Sequence, residues 1–227
     1  MSLPELIEAH DVPTGNAVPS GIITALKSRV SNILTYVVPT TNVGTNIGDI
    51  SYIVNWNGEF QTVDNFEAYV QVEFKERYVF ATHYSLKGCG NNGWWFAKGW
   101  YLYGFDSVGE TPTLITTNTS EGSTFCGTGN FCNSLDWGTF AIPNPNRSYR
   151  FFRLKVKEPS YSSYSNSSTA GWRVALAGIE VFGVYSNDIK YTSYPTKRTT
   201  FRLKSCPVSP RYSIPIIFKA ILFCSSD

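Results

Sequence analysis

The chain has 227 residues, 42% of them hydrophobic, 15% aromatic and 16% charged, with a formal net charge of +2. That balance predicts a folded core in one large β domain, or one domain with extensions. It excludes a basic nucleic-acid footprint, since no Lys/Arg-rich run occurs, and it implies no acidic substrate.

Taken in chain order, MSLPELIEAHDVPTG has no basic start followed by an apolar run, so no secretory signal is read there. SGIITALKSRVSNIL, residues 20–34, carries Ile22, Ile23, Leu26 and Val30 at helical spacing and predicts a short helix capped by Ser20. From Tyr52 onward the pattern is strand-like. EAYVQVEFK alternates, with Val70, Val72 and Phe74 on one face and Gln71, Glu73 and Lys75 on the other, which predicts a half-buried antiparallel strand. RYVFATHYSLKG is apolar on both faces and suits a central strand. GWYLYGFD and TPTLITT form an expected hairpin around the turn Ser107-Val108-Gly109-Glu110.

Residues 118–133 are rich in Gly, Ser, Thr and Asn and predict a long loop. WGTFAIP resumes extended structure. YRFFRLKVK places Phe152, Leu154 and Val156 on one face, and WRVALAGIEVFGVY closes the β region after a polar loop at 160–171. Short strands, polar turns and no long helix predict an all-β fold, an antiparallel β-sandwich or jelly roll. The expected division is an N-terminal extension at 1–34, the β-sandwich at 35–185, and a proline-containing C-terminal extension at 186–227. The apolar cluster IPIIFKAILF near the C-terminus falls far short of the ~20 residues of a membrane-spanning helix.

The five cysteines, Cys89, Cys126, Cys132, Cys206 and Cys224, are an odd number without a CxxC pair. That argues against a complete disulfide framework, and free thiols are expected, although Cys126 and Cys132 are spaced to close a small loop. With only His10 and His83 as histidines, no zinc site of the usual kind is expected. Three sequons, at Asn118, Asn146 and Asn166, do not by themselves show secretion. The protein is read as soluble, with a cytoplasmic location favoured.

Four segments in order resemble the F5/8 type C, or discoidin-like, family: AYVQVEFKERYVFATHYSLKG, FAKGWYLYGFDSVGE, YRFFRLKV and ALAGIEVFG. ISYIVNWNGEF, ahead of them, stands where the family has its first ligand loop. The match covers residues 50–183. The resemblance implies a galactose-binding-like β-sandwich of jelly-roll topology. It also implies a non-catalytic role, recognising sugars, lipid headgroups or proteins through loops at one end. Many extracellular members close the domain with a terminal disulfide, and no cysteine precedes Cys89 here. The family's GS-x-D-G turn is altered to Gly104-Phe105-Asp106-Ser107-Val108-Gly109. Some relatives bind calcium through loop carboxylates, but Asp64, Asp106, Glu110 and Asp136 form no dense cluster of the sort a hard cation takes. No cofactor is therefore expected, with calcium as the alternative.

The candidate ligand-binding residues are Trp56, Asn57, Glu59, Asn91, Asn92, Trp94 and Trp95. Loops present recognition residues because the sheets position them while leaving them accessible. Amides beside an indole suit carbohydrate, whose hydroxyls need donors and acceptors while its C–H face needs a ring. A core or end-plug role is the competing reading for Trp56 and for Trp95. Trp100, Trp137 and Trp172 are expected to be structural. Arg153 and Glu180, the charges inside the two late strands, are expected to form a long-range ion pair. Neither histidine offers a nucleophile–base arrangement, and neither GxSxG nor a phosphate loop occurs, so no enzyme is expected. Two functional readings follow. One is a binding module whose loops recognise a glycan or a protein. The other is a structural or adaptor subunit of a larger intracellular assembly.

Overall fold

Alternation decides which side chains point inward. In β5 (Tyr69–Phe74), Val70, Val72 and Phe74 are buried, while Tyr69, Gln71 and Glu73 are only half-buried. In β10 (Phe151–Glu158), Phe152, Leu154 and Val156 go to the core, while Arg153 and Lys155 face outward. Period-2 patterning of this kind is what a sheet with one packed face requires. The computed structural model describes residues 6–13, 17–88, 99–119, 137–159 and 171–187. The chain divides into two compact units, Met1–Pro195 and Thr196–Asp227, and the second lies outside the described residues.

The described residues form two antiparallel sheets. One joins β2 (Val37–Thr41), β5, β10, β7 (Gly99–Phe105) and β8 (Thr113–Thr119), in that order. The other joins β3 (Thr45–Ile47), β4 (Phe60–Thr62), β11 (Ala175–Ser186), β6 (Tyr78–Gly88) and β9 (Trp137–Ala141). β1 (Leu6–Ala9) pairs with the last part of β11, Gly183 to Ser186. The core lies between the sheets: Val70, Val72, Trp100, Leu102 and Leu154 from one meet Tyr84, Leu86, Ile179 and Val181 from the other. Trp100 is fully buried, and its indole Nε1 donates to the Tyr84 hydroxyl at 2.9 Å across this layer. The all-β antiparallel sandwich expected from the sequence is therefore the architecture found, and Trp100 and Trp137 are structural as expected.

β11 is buried along its whole length. It has β6 on one side, β4 and β1 on the other, and α1 (Ile22–Lys27) and α2 (Tyr52–Asn55) packed against it. A strand covered on both faces reads as an unbroken apolar run rather than an alternation, which is the character of ALAGIEVFGVYS.

Three expectations are corrected. The helix read over residues 20–34 is confined to Ile22–Lys27, with Ile22, Ile23 and Leu26 buried. It stops because Ser and Asn compete locally for backbone groups: Asn32 Oδ1 accepts from the Leu34 amide at 3.0 Å and opens a separate 3-10 turn, Ile33–Thr35. Ser20 does not cap it, since the N-cap is Gly21, without a side-chain bond. Tyr52–Asn55, read as strand-like, is a single helical turn that buries Ile53 and Val54. Arg153 and Glu180 do not pair, because they sit on different sheets. Arg153 donates to Gln71 Oε1 at 3.1 and 2.8 Å, while Glu180 binds the start of α1.

Register defines one rim of the sandwich. Lys87 pairs with Trp137, Gly88 with Leu176, and Gly99 with both Glu158 and Thr119. The strand ends that flank residues 89–98, 120–136 and 160–170 therefore all lie at this rim.

Candidate functional site

The site begins with the end of α2. Trp56 takes the left-handed conformation, φ 61° and ψ 28°, and its amide donates to the Tyr52 carbonyl at 2.7 Å. Glycine or asparagine usually ends a helix this way, because a β-carbon is crowded there. Trp56 is held in place by its side chain. Its Nε1 donates to the Ile179 carbonyl at 3.1 Å. Its ring meets Trp137 edge-on, with centroids 5.0 Å apart and planes at 74°. The Lys27 ammonium lies 3.9 Å from the ring centroid and donates to the Asn55 carbonyl at 2.9 Å. Burial is the main cause that lowers the Lys27 pKa, with Lys87 acting in the same direction and Glu180 opposing.

Two glycines let the following turn close onto α2. Gly48 has φ +68°, and a β-carbon there would lie 1.8 Å from the Glu59 carbonyl oxygen. A β-carbon on Gly58 would lie 2.5 Å from the Tyr52 ring. The result is an open cleft of about 550 Å³ lined by Ile47, Tyr52, Trp56, Asn57, Glu59 and Lys87, with Gly48 and Gly58 beneath. Ring faces, an amide, a carboxylate and an ammonium converge there, which is the mixture a polyhydroxylated ligand needs.

Of the seven residues expected at a ligand site, the structure brings together Trp56, Asn57 and Glu59 in this cleft. Asn91, Asn92, Trp94 and Trp95 lie outside the described residues, as do all five cysteines. The described chain stops at Gly88, one residue after Lys87 of the cleft wall. Tyr52 and Lys87 were missed by sequence reasoning. The Asn57-Gly58 turn dipeptide was the available signal for the fold-back, but nothing in the sequence paired it with the end of β6.

The loop carboxylates are committed elsewhere. Asp106 and Glu110 both pair with Arg147 at the opposite rim, beside a smaller cavity of about 250 Å³. Asp64 Oδ1 accepts from the Trp172 amide at 2.7 Å. Asp136 is outside the described residues. Among the described residues, no group of three or more His, Cys, Asp or Glu could hold a metal ion. His83 lies in β6 with Nδ1 3.2 Å from the Thr82 hydroxyl, and burial lowers its pKa. Among the described residues, no helix is long and apolar enough to cross a membrane.

No protein-family model matches the chain, and no curated protein matches it. Among solved structures, it is similar to the family 32 carbohydrate-binding module of NanJ from Clostridium perfringens, in complex with galactose. The identity is 14%, the TM-score 0.45, and the match covers 64% of this chain and 93% of that one. It is also similar to the third family 32 module of a family 31 glycoside hydrolase from Clostridium perfringens, at 10% identity and a TM-score of 0.48 over 68% of this chain and 92% of that one. A fucolectin from striped bass (Morone saxatilis) serum is similar at 12% identity and a TM-score of 0.45, over 65% of this chain and 47% of that one. No residue role follows from these likenesses.

Proposed function

We propose that the chain is a non-catalytic binding module that recognises a glycan through the rim of the sandwich, with the cleft beside α2 as its site. The observation that carries the reading is the cleft itself, where an indole, an amide and a carboxylate, from Trp56, Asn57 and Glu59, meet Tyr52 and Lys87. In this reading Tyr52 and the open part of the Trp56 ring cover a C–H face of the sugar. Asn57, Glu59 and Lys87 bond its hydroxyls, and Asn91, Asn92, Trp94 and Trp95 are kept in this reading as further ligand contacts.

A non-catalytic role is supported by the use made of the most perturbed carboxylate. Glu180, whose pKa is pushed up to about 6 by burial, has no exposed surface and spends its oxygens on the start of α1. It has no access to a substrate in the cleft.

The test is a glycan array probed with the wild-type chain and with Asn57→Ala and Trp94→Ala. Binding to a defined set of neutral glycans, weakened by both substitutions, is expected. If the folded wild-type chain binds no neutral glycan, the reading fails. If it binds one that neither substitution weakens, the cleft is the wrong place.

A further inference from the structure

The outer face of the sheet β2-β5-β10-β7-β8 carries a second feature, on the other sheet from the β3, β4 and β6 strands beside the cleft. Alternation puts Tyr69, Gln71 and Glu73 of β5, Phe151, Arg153 and Lys155 of β10, and Tyr101, Tyr103 and Phe105 of β7 on this one face. Aromatic residues and cations share it. A groove of about 230 Å³ runs there, lined by Asn42, Glu67, Tyr69, Tyr103, Arg153 and Lys155.

Arg153 stands at its centre. Its register partners are Gln71 on one side and Tyr103 on the other. Nε and Nη2 both donate to Gln71 Oε1, at 3.1 and 2.8 Å, and the guanidinium lies 4.0 Å from the Tyr69 ring centroid and 4.9 Å from that of Phe105. The plane of the group is thus held by a neutral amide and two rings. Two nearby arginines are neutralised, Arg147 by Asp106 and Arg150 by Glu73. Among the described residues, no carboxylate pairs with Arg153. Nη1 carries two protons that no described acceptor uses. Lys155 flanks the groove, bonded to Glu67 at 2.5 Å. The Asn42 amide is held at both ends, donating to the Glu67 carbonyl and accepting from the Tyr69 amide, each at 2.9 Å. The strand edge below the groove is therefore fixed.

We propose that this groove is a second binding site, for a carboxylate-bearing sugar. A pre-oriented guanidinium without a carboxylate of its own matches a planar carboxylate. The Tyr103 ring beside it offers a surface for the C–H face of the same sugar. An acidic peptide would satisfy Arg153 equally, but it would not call for the ring. The site does not rest on the rim cleft.

The experiment measures binding of a galacturonic acid tetramer, and of the same tetramer as its methyl ester, to the full chain by calorimetry. Arg153→Met, Tyr103→Ala and Asn57→Ala are measured in parallel. The expected result is binding of the acid form, a loss of roughly tenfold or more with the ester or with Arg153→Met, and a clear loss with Tyr103→Ala. Asn57→Ala leaves it unchanged. Thermal unfolding of each variant shows that it folds. Equal binding of acid and ester, no binding of the acid, or equal binding by folded Arg153→Met each overturns the proposal. A tetraglutamate peptide that binds as tightly as the tetramer overturns the assignment to a sugar. A chain that binds neutral glycans but not the tetramer loses this site and keeps the first.

Discussion

Glu180 caps Thr24 from 156 residues further along the chain. Its Oε2 accepts from the Thr24 amide at 2.9 Å and from the Thr24 hydroxyl at 2.8 Å. Oε1 accepts from the Ile23 amide at 2.7 Å and from the Val181 amide at 2.9 Å. A strand residue thus does for α1 what an N-cap side chain ordinarily does locally. Burial nonetheless outweighs these four bonds and lifts the carboxyl pKa from 4.5 to about 6.

The first prediction follows from that sign. The folded carboxyl keeps its proton to a higher pH than the unfolded one does. The unfolding free energy therefore gains a contribution as pH falls from about 6 towards 4.5, and that contribution is level above about 6. Denaturant titrations across this range should show the gain in the wild type and its absence in Glu180→Gln. At neutral pH Glu180→Gln leaves the Thr24 amide facing a donor and should cost about 1–3 kcal/mol. Glu180→Ala orphans every donor and should cost more.

Two buried tyrosines should respond oppositely to loss of the hydroxyl. Tyr84 accepts from Trp100 Nε1 at 2.9 Å, so Tyr84→Phe strands a buried indole N–H and should lower stability by about 1–3 kcal/mol. Among the described residues the buried Tyr185 hydroxyl has no hydrogen-bond partner, so Tyr185→Phe should be neutral or stabilising by up to about 1 kcal/mol. Equilibrium unfolding of the two variants side by side checks the contrast.

Alkaline pH should weaken the fold through the same pair. Burial raises both phenols from 10.0 to about 12. The folded state keeps these protons where the unfolded state has lost them, so stability should fall as pH rises from 10 towards 12. An absorbance titration should show Tyr84 and Tyr185 among the late-ionising phenols of the folded wild type, and one late phenol fewer in Tyr185→Phe.

Gly48→Ala should dismantle the rim cleft. It places a β-carbon 1.8 Å from the Glu59 carbonyl oxygen at φ +68°. Left-handed strain alone is worth about 1–3 kcal/mol, and the clash adds to it. Lower thermal stability together with loss of neutral-glycan binding is the expected outcome. Unchanged stability would show that the Gly48–Glu59 approach is not maintained in solution.

Trp56→Phe separates scaffold from recognition. It deletes the bond from Nε1 to the Ile179 carbonyl while keeping a ring against Trp137. Stability should drop by about 1–2 kcal/mol, because the buried carbonyl loses its donor. Glycan binding should weaken less than it does in Asn57→Ala.

The strands with one packed face were readable because pleating writes burial into the sequence as alternation. YVQVEF and FFRLKV show it directly. β11 was readable for another reason, as an apolar run bounded by loops. β1 was not readable, since LIEA is too short to carry a pattern and is defined by its pairing with Gly183–Ser186. The cap on α1 was invisible because it is separated by 156 residues, while the reading of Arg153 failed for a different reason. Each charge sat inside a strand that matched the family pattern, but the sequence did not reveal that the strands belong to different sheets. At the candidate site, Trp56, Asn57 and Glu59 were legible from the run of amide and carboxylate side chains beside an indole. Tyr52 and Lys87 were not, because their approach depends on a fold-back enabled by two glycines. Trp56 itself is more deeply committed to the scaffold than an exposed recognition ring would be, through Ile179, Trp137 and Lys27.

Pairing of β1 with β11 sets the minimum length of chain that can be produced as a stable fragment. A version trimmed to begin at residue 35, the start of the sandwich expected from the sequence, would strip a ladder from Gly183–Ser186 and remove Ile22, Ile23 and Leu26 from the core. It would also leave the carboxylate of Glu180 in a dry interior without the amides of Ile23 and Thr24. Such a fragment would be expected to aggregate along the bared edge, so protein engineers grafting this sandwich elsewhere should retain everything from Leu6.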